Sequence, residues 1–167
     1  MASHHVSAAT TVRSAVGDLA IICRVRTRHC AFFAADVVEV MRPLPIEGVA
    51  NMPAFVLGLS IIRGAPTPVI DAGALLGDDR ESARPRRFIL VRLDERRIAL
   101  AVEDVLGVRA LAGENVGVLP PLLQHAAGDV ITALGTLDAR LLLVLGNAHL
   151  VPAEAWERML LATSASA

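Results

Sequence analysis

Short apolar runs alternate with turn residues along most of the chain. Residues 19–25 (LAIICRV), 30–34 (CAFFA) and 37–41 (VVEVM) are three such runs set close together, and each reads as a strand. Pro43, Pro45, Gly48 and Pro53 then punctuate a long connection. Residues 55–62 (FVLGLSII) follow as a strand, or as a short helix leading into one. Residues 68–70 form a short strand, and Leu75 with Leu76 closes a helical turn. The segment 77–87 (GDDRESARPRR) is charged and turn-rich, hence an exposed loop. Residues 88–93 (FILVRL) and 97–102 (RIALAV) flank Asp94, Glu95 and Arg96, which is a hairpin pattern. Runs at 105–111, 130–137 and 141–145 continue the series. Residues 152–161 (PAEAWERMLL) form the clearest helix, with Pro in the first turn, acids near the start and apolar residues at helical spacing. So many short strands with so few helices predict a mostly β protein, a barrel or a sandwich.

A faint repeat runs through this pattern. Residues 31–40 (AFFAADVVEV) parallel residues 99–108 (ALAVEDVLGV). Residues 59–76 parallel 134–151, which sets Val69 over Val144 and Leu75 over Leu150. Two stacked β subdomains would produce such self-similarity. Chance is the rival reading, because the residues involved are common ones.

Composition sharpens the picture. Of the 167 residues, 54% are apolar and only 3% aromatic, with a mean hydropathy of +0.54. The apolar mass is therefore aliphatic. That much apolar content argues against disorder, and raises the question of a membrane span. A spanning helix needs about 20 apolar residues in a row. The longest charge-free stretches, 48–62, 115–128 and 141–153, are shorter and carry Gly, Pro, Asn or His. No apolar signal-peptide core follows the start, so a cytoplasmic location is expected. All sixteen basic residues are Arg, and the formal net charge of -1 gives no general pull toward nucleic acid or an anionic membrane. The expected organisation is a flexible N-terminal segment over 1–17, one folded domain over 18–161, and a flexible tail over 162–167.

Enzyme signatures are sparse. Without Lys there is no phosphate-binding GxxxxGK[ST] loop, and GxSxG and HExxH are also absent. Cys23 and Cys30 lack zinc-ligand spacing, and small buried apolar roles suit them better. No metal and no cofactor is expected. Asp71, at a strand end, is either a catalytic base or a turn cap through backbone N–H groups. A small β-barrel enzyme using Asp71, or Cys30 with His29, is the remote alternative. Arg63 ends the long uncharged stretch and precedes Gly64. It either pairs with a carboxylate such as Asp71 or Glu39, or presents its planar fork to a partner.

Four elements together resemble the CheW-like domain of bacterial chemotaxis coupling proteins. They are V-x-E-V at 37–40, A-N-x-P-A-F-x-x-G at 50–58, R-G at 63–64 and P-V-I-D at 68–71. Their order and spacing match, and the resemblance extends over nearly the whole chain. It implies two SH3-like five-stranded β-barrel subdomains packed together, with a C-terminal helix. It also implies a non-enzymatic adaptor or scaffold that couples the cytoplasmic tips of chemoreceptors to a CheA-type histidine kinase, in the cytoplasm at membrane-associated receptor arrays. By the same match, Val37, Glu39, Gly58 and Arg63 are expected on or near the receptor-contacting face. Departures are Ile61 in place of Asn, Ala72-Gly73-Ala74 in place of an acidic-leucine-basic run, Glu103 in place of Asp, and Leu145-Gly146-Asn147 near the end. They keep open an adaptor of a non-motility chemosensory pathway, or a decoy that binds a single partner.

Overall fold

The structure is a computed structural model and describes residues 19–78, 80, 84–111, 116–122, 130–146 and 150–165. The expected N-terminal segment lies outside these residues. The described residues form eleven strands, and all but β9 occupy positions that the apolar runs mark: β1 (Leu19–Val25), β2 (Arg28–Phe33), β3 (Val37–Met41), β4 (Val56–Ile62), β5 (Ala65–Asp71), β6 (Arg87–Leu93), β7 (Arg96–Val102), β8 (Asp104–Ala110), β9 (Val116–Val118), β10 (Ile131–Leu137) and β11 (Arg140–Leu145). A short 3-10 turn at Ala34–Asp36 and the α-helices α1 (Ala72–Leu75) and α2 (Ala153–Ala165) accompany the strands. Helix α2 starts where Pro152 predicts and runs four residues past Leu161.

The strands form two sheets. One has the order β8-β1-β2-β11-β10-β9 and the other β3-β6-β7-β5-β4. The first draws on both ends of the chain and is called the terminal barrel; the second is the central barrel. Each has one parallel contact, β2 with β11 and β5 with β7, and is otherwise antiparallel. The sixth strand of the terminal barrel departs from the expected five, but only by length. In the central barrel the chain after β3 bends so that Glu47 pairs with Leu59 on β4, through two backbone hydrogen bonds of 2.8 Å. In the terminal barrel the chain after β8 does the same, and Gly117 of β9 pairs with Leu134 on β10. In each barrel a segment C-terminal to the first strand of the sheet thus pairs with the fifth.

The repeat read in the sequence is the symmetry of the fold. Ala31 opposes Val144, as Ala99 opposes Val69. The β3–β6 ladder shifts register between Val37 and Glu39, and the β8–β1 ladder shifts between Val105 and Gly107, the aligned positions. Each half also exchanges a strand. The β1–β2 hairpin continues into β3 of the central barrel, and the β6–β7 hairpin continues into β8 of the terminal barrel.

Strand alternation then divides the apolar residues among three cores. Ala20, Ile22, Ala31, Ala133, Leu142 and Val144 fill the terminal barrel. Ile62, Val69, Phe88, Leu90, Ala99 and Ala101 fill the central barrel. The largest core lies between the barrels, where Ile21, Cys23, Cys30 and Phe32 meet Ile89, Val91, Ile98 and Leu100. Nearly every inner strand is thus buried on both faces, which is why the runs are continuous rather than alternating and why hydropathy is high. Leu150, Val151, Ala155 and Met159 close one end of this middle core. Among the described residues, no helix is long and apolar enough to cross a membrane.

Candidate functional site

Glu39 lies on β3 and Arg63 at the β4–β5 turn of the central barrel, and the fold brings them together. Glu39 sits just past the irregularity in β3. Arg63 and Gly64 form the two-residue turn between β4 and β5, with φ of 50° and 77°. Positive φ at both central residues is the tight hairpin geometry that glycine favours, so the turn points the Arg63 side chain outward. Its Nε donates to Glu39 Oε2 at 2.8 Å and its Nη2 to Oε1 at 3.1 Å, a bidentate fork. Arg63 remains 69% exposed at its side chain, against 25% for Glu39. The guanidinium holds the Glu39 carboxyl below the usual carboxylate range, with Arg97 adding a weaker pull. Exposed apolar side chains flank both partners in sequence: Val38 and Val40 on either side of Glu39, and Ile61 shortly before Arg63.

The other two expected face residues are placed differently. Val37 is half-buried and packs against the core between the barrels. Gly58 is buried, with φ of 144°, and a Cβ there would stand 2.0 Å from the Glu47 carbonyl oxygen. Glycine is needed at that point so that the chain after β3 can close the barrel on β4.

Asp71 is a cap, not a free base. Its Oδ1 accepts from the backbone N–H groups of Gly73 at 2.9 Å and Ala74 at 3.3 Å, which starts α1. Its Oδ2 accepts from Arg26 Nη2 at 2.9 Å. Arg26 Nη1 also donates to Glu103 Oε1 at 2.9 Å, and the Arg26 backbone N–H donates to Glu103 Oε2 at 2.7 Å. This three-residue cluster was not foreseen. Three arginines crowd residues 24–28 (RVRTR), and nothing local distinguishes the one that turns inward; only its φ of 57° at a turn does so.

The Cys30–His29 alternative is overturned by strand geometry. Neighbouring residues of a strand project to opposite faces, so the imidazole cannot serve the thiol. Cys30 lies in the middle core, and burial pushes its thiol up to about 12. Cys23 is opposite it on β1, is likewise buried, and has its thiol raised for the same reason. Both are free thiols. Their counterparts in the repeat are Ile98 and Val91, which identifies their role as aliphatic packing. Among the described residues, no three His, Cys, Asp or Glu side chains converge as a metal site.

Comparison with known proteins agrees with this architecture. The family model described as "CheW-like domain" matches residues 19–155. The chain is similar to "Chemotaxis protein CheW" of Klebsiella aerogenes, at 26% identity over 124 residues, covering 70% of this chain and 75% of that protein. It is similar to "Probable chemotaxis protein CheW" of Rhizobium etli, at 24% identity over 131 residues, covering 77% of this chain and 84% of that protein. Its fold resembles the crystal structure of the scaffolding protein TtCheW from Thermoanaerobacter tengcongensis. The TM-score is 0.72 at 19% identity, over 84% of this chain and 96% of that one. The chain belongs to the CheW-like domain family and is, as that family is, a chemotaxis scaffold rather than an enzyme.

Proposed function

We propose that this chain couples the cytoplasmic tips of chemoreceptors to a CheA-type histidine kinase, and that the Glu39–Arg63 pair anchors the receptor side. The observation that carries the reading is an exposed, bidentate ion pair between Glu39 and Arg63, with exposed Val38, Val40 and Ile61 near it in sequence. A receptor tip is a helical hairpin with apolar and charged positions. The valines and Ile61 offer it apolar contact, and the fork-shaped Arg63 and its carboxylate fix register. Val37 and Gly58 act from beneath: one seats β3 on the middle core, and the other lets the barrel close under the face.

The departure at Ala72-Gly73-Ala74 does not favour a decoy. Glycine at position 73 leaves room for the Arg26 guanidinium, whose Cζ would lie 2.4 Å from a Cβ there. At that position the departure from the family pattern accommodates an internal contact. Recruitment to receptor arrays in the cytoplasm follows from the same reading.

Binding of the purified chain to a receptor-tip fragment and to the kinase, each measured separately, tests the proposal. Micromolar or tighter binding to both is expected. Absence of binding to both would end the reading. Arg63→Ala should weaken receptor-tip binding at least tenfold and leave the thermal midpoint and kinase binding unchanged.

A further inference from the structure

The two barrels meet along a seam whose two ends are related by the repeat, yet the ends are closed differently. At one end, α2 packs Ala155 and Met159 into the middle core, and Trp156 lies under the Arg96 guanidinium at 5.0 Å. At the other end stands the cluster of Arg26, Asp71 and Glu103. Arg26 belongs to the β1–β2 turn of the terminal barrel. Asp71 ends β5 of the central barrel. Glu103 is the single residue between β7 and β8, where the chain crosses from one barrel to the other. The three side chains are between 7% and 13% exposed.

We infer that Arg26 is a positioning residue that fixes the angle between the two barrels, and that coupling depends on this fixed angle. Three features support it. The guanidinium, carried on the terminal barrel, spans Asp71 of the central barrel and Glu103 of the crossover, and the Arg26 backbone N–H adds a third hold on Glu103. Glycine at position 73 clears the space for it. Its equivalents in the other half are Asp94, Ala35 and Gly146, so the repeat does not supply the cluster twice. A guanidinium bridging two acids has discrete, directional geometry, unlike the aliphatic contacts around it, which tolerate sliding. An adaptor that holds two partners on separate surfaces needs that rigidity to bridge them.

The dependence of coupling rests on the proposed function; the effect on angle does not. The test therefore has two arms on the full chain. In the first, spin labels on cysteines introduced at Glu95 and Thr136, exposed positions on the central and terminal barrels, report the inter-barrel distance without any partner. The buried Cys23 and Cys30 thiols are held protonated and do not compete for label. A single narrow distance is expected, shifted or broadened in Arg26→Met and partly so in Arg26→Lys, whose ammonium cannot fork across both acids. In the second, Arg26→Met should weaken the three-component complex at least tenfold while binding to each partner alone changes less than threefold.

An unchanged distance in Arg26→Met overturns the inference. So does a parallel loss of single-partner binding by a folded Arg26→Met, which would mark Arg26 as merely structural. Should Arg26→Met fail to fold, Arg26→Met/Asp71→Asn/Glu103→Gln removes all three charges together and keeps the cap on α1. A native distance in that variant overturns the inference, and a broadened one supports it. If the unmodified chain binds neither partner, the coupling reading fails, while the distance arm still decides the role of Arg26 in the angle.

Discussion

The central and terminal barrels share a ladder, residue by residue, and differ where chemistry is exposed. Two turns of equal geometry make the point. Arg63-Gly64 in the central barrel and Asp138-Ala139 in the terminal barrel both have positive φ at both residues. The first carries the cation of an ion pair, and the second carries an acid. Opposite Arg63 stands Glu39; opposite Asp138 the repeat puts Gly107, which has no side chain. Backbone irregularities survive in both halves because the barrels need them to close. Side chains at the same places have diverged because the fold does not need them. Within a repeat of this kind, the positions that break symmetry without touching a core are the ones to suspect of function.

The interiors show a second kind of difference. Ala20 opposes Phe33 in the terminal barrel, and Phe88 opposes Ala101 in the central barrel. By the repeat these are equivalent pairs with the aromatic on opposite strands. One Phe against one Ala fills each, so one aromatic per barrel suffices, and the low aromatic content follows. The two are unequal, however: Phe88 is fully buried, whereas Phe33 is half-buried. Phe88→Ala should therefore be the most damaging single change, costing about 3–5 kcal/mol. Phe33→Ala should cost distinctly less, both read from urea unfolding. Equal losses would show that the barrels are filled alike.

Closure gives the next largest contrast. Gly58 and Ala133 are equivalent, and only Gly58 has a backbone carbonyl packed where a Cβ would go. Gly58→Ala should destabilise by more than about 1 kcal/mol, because native φ and sterics both oppose it. Ala133→Gly should cost about 1 kcal/mol, through backbone entropy and the loss of a buried methyl group without any steric clash. A tolerated Gly58→Ala would mean that the chain after β3 can move off β4.

The strands, the C-terminal helix and the repeat were legible because inner strands buried on both faces write themselves as uninterrupted aliphatic runs. β9 was missed: three residues pairing at one end of a bend carry too little pattern. Glu39 and Arg63 were legible as residues, and Glu39 as one of two carboxylates open to Arg63, since an Arg leaving an apolar strand needs a partner and the sequence alone does not choose between Glu39 and Asp71. The burial of Val37 and the crowding at Gly58 were not, as both depend on what crosses over them. Arg26 was illegible for the same reason. Its partners are Asp71 and Glu103, far along the chain, and only the strand exchange brings them to the β1–β2 turn.

Smaller effects sharpen the contrast between surface and seam. Burial raises the thiols, so the folded state resists their ionisation. Stability from this source is complete below the ordinary thiol value of 9.0 and is lost as pH rises from there toward about 12. The urea midpoint should fall over that range, and Cys23→Ser/Cys30→Val should flatten the slope. In the folded protein both thiols should be unreactive to Ellman's reagent at neutral pH. Rapid modification of either would place it outside the core. Glu39 runs the other way. Arg63 lowers its folded value, so the pair's contribution is present above the ordinary Glu range and is lost as pH falls through the folded value. At an exposed site this moves stability little. Carboxyl NMR should place the Glu39 midpoint below the ordinary range, and Arg63→Ala should return it there.

The most direct test is receptor-tip binding by Arg63→Ala beside Asp138→Ala, the symmetric change on the terminal barrel. The account predicts at least a tenfold loss for Arg63→Ala and no change for Asp138→Ala, with both variants as stable as the parent. Equal binding by both variants, or a larger loss for Asp138→Ala, would contradict it.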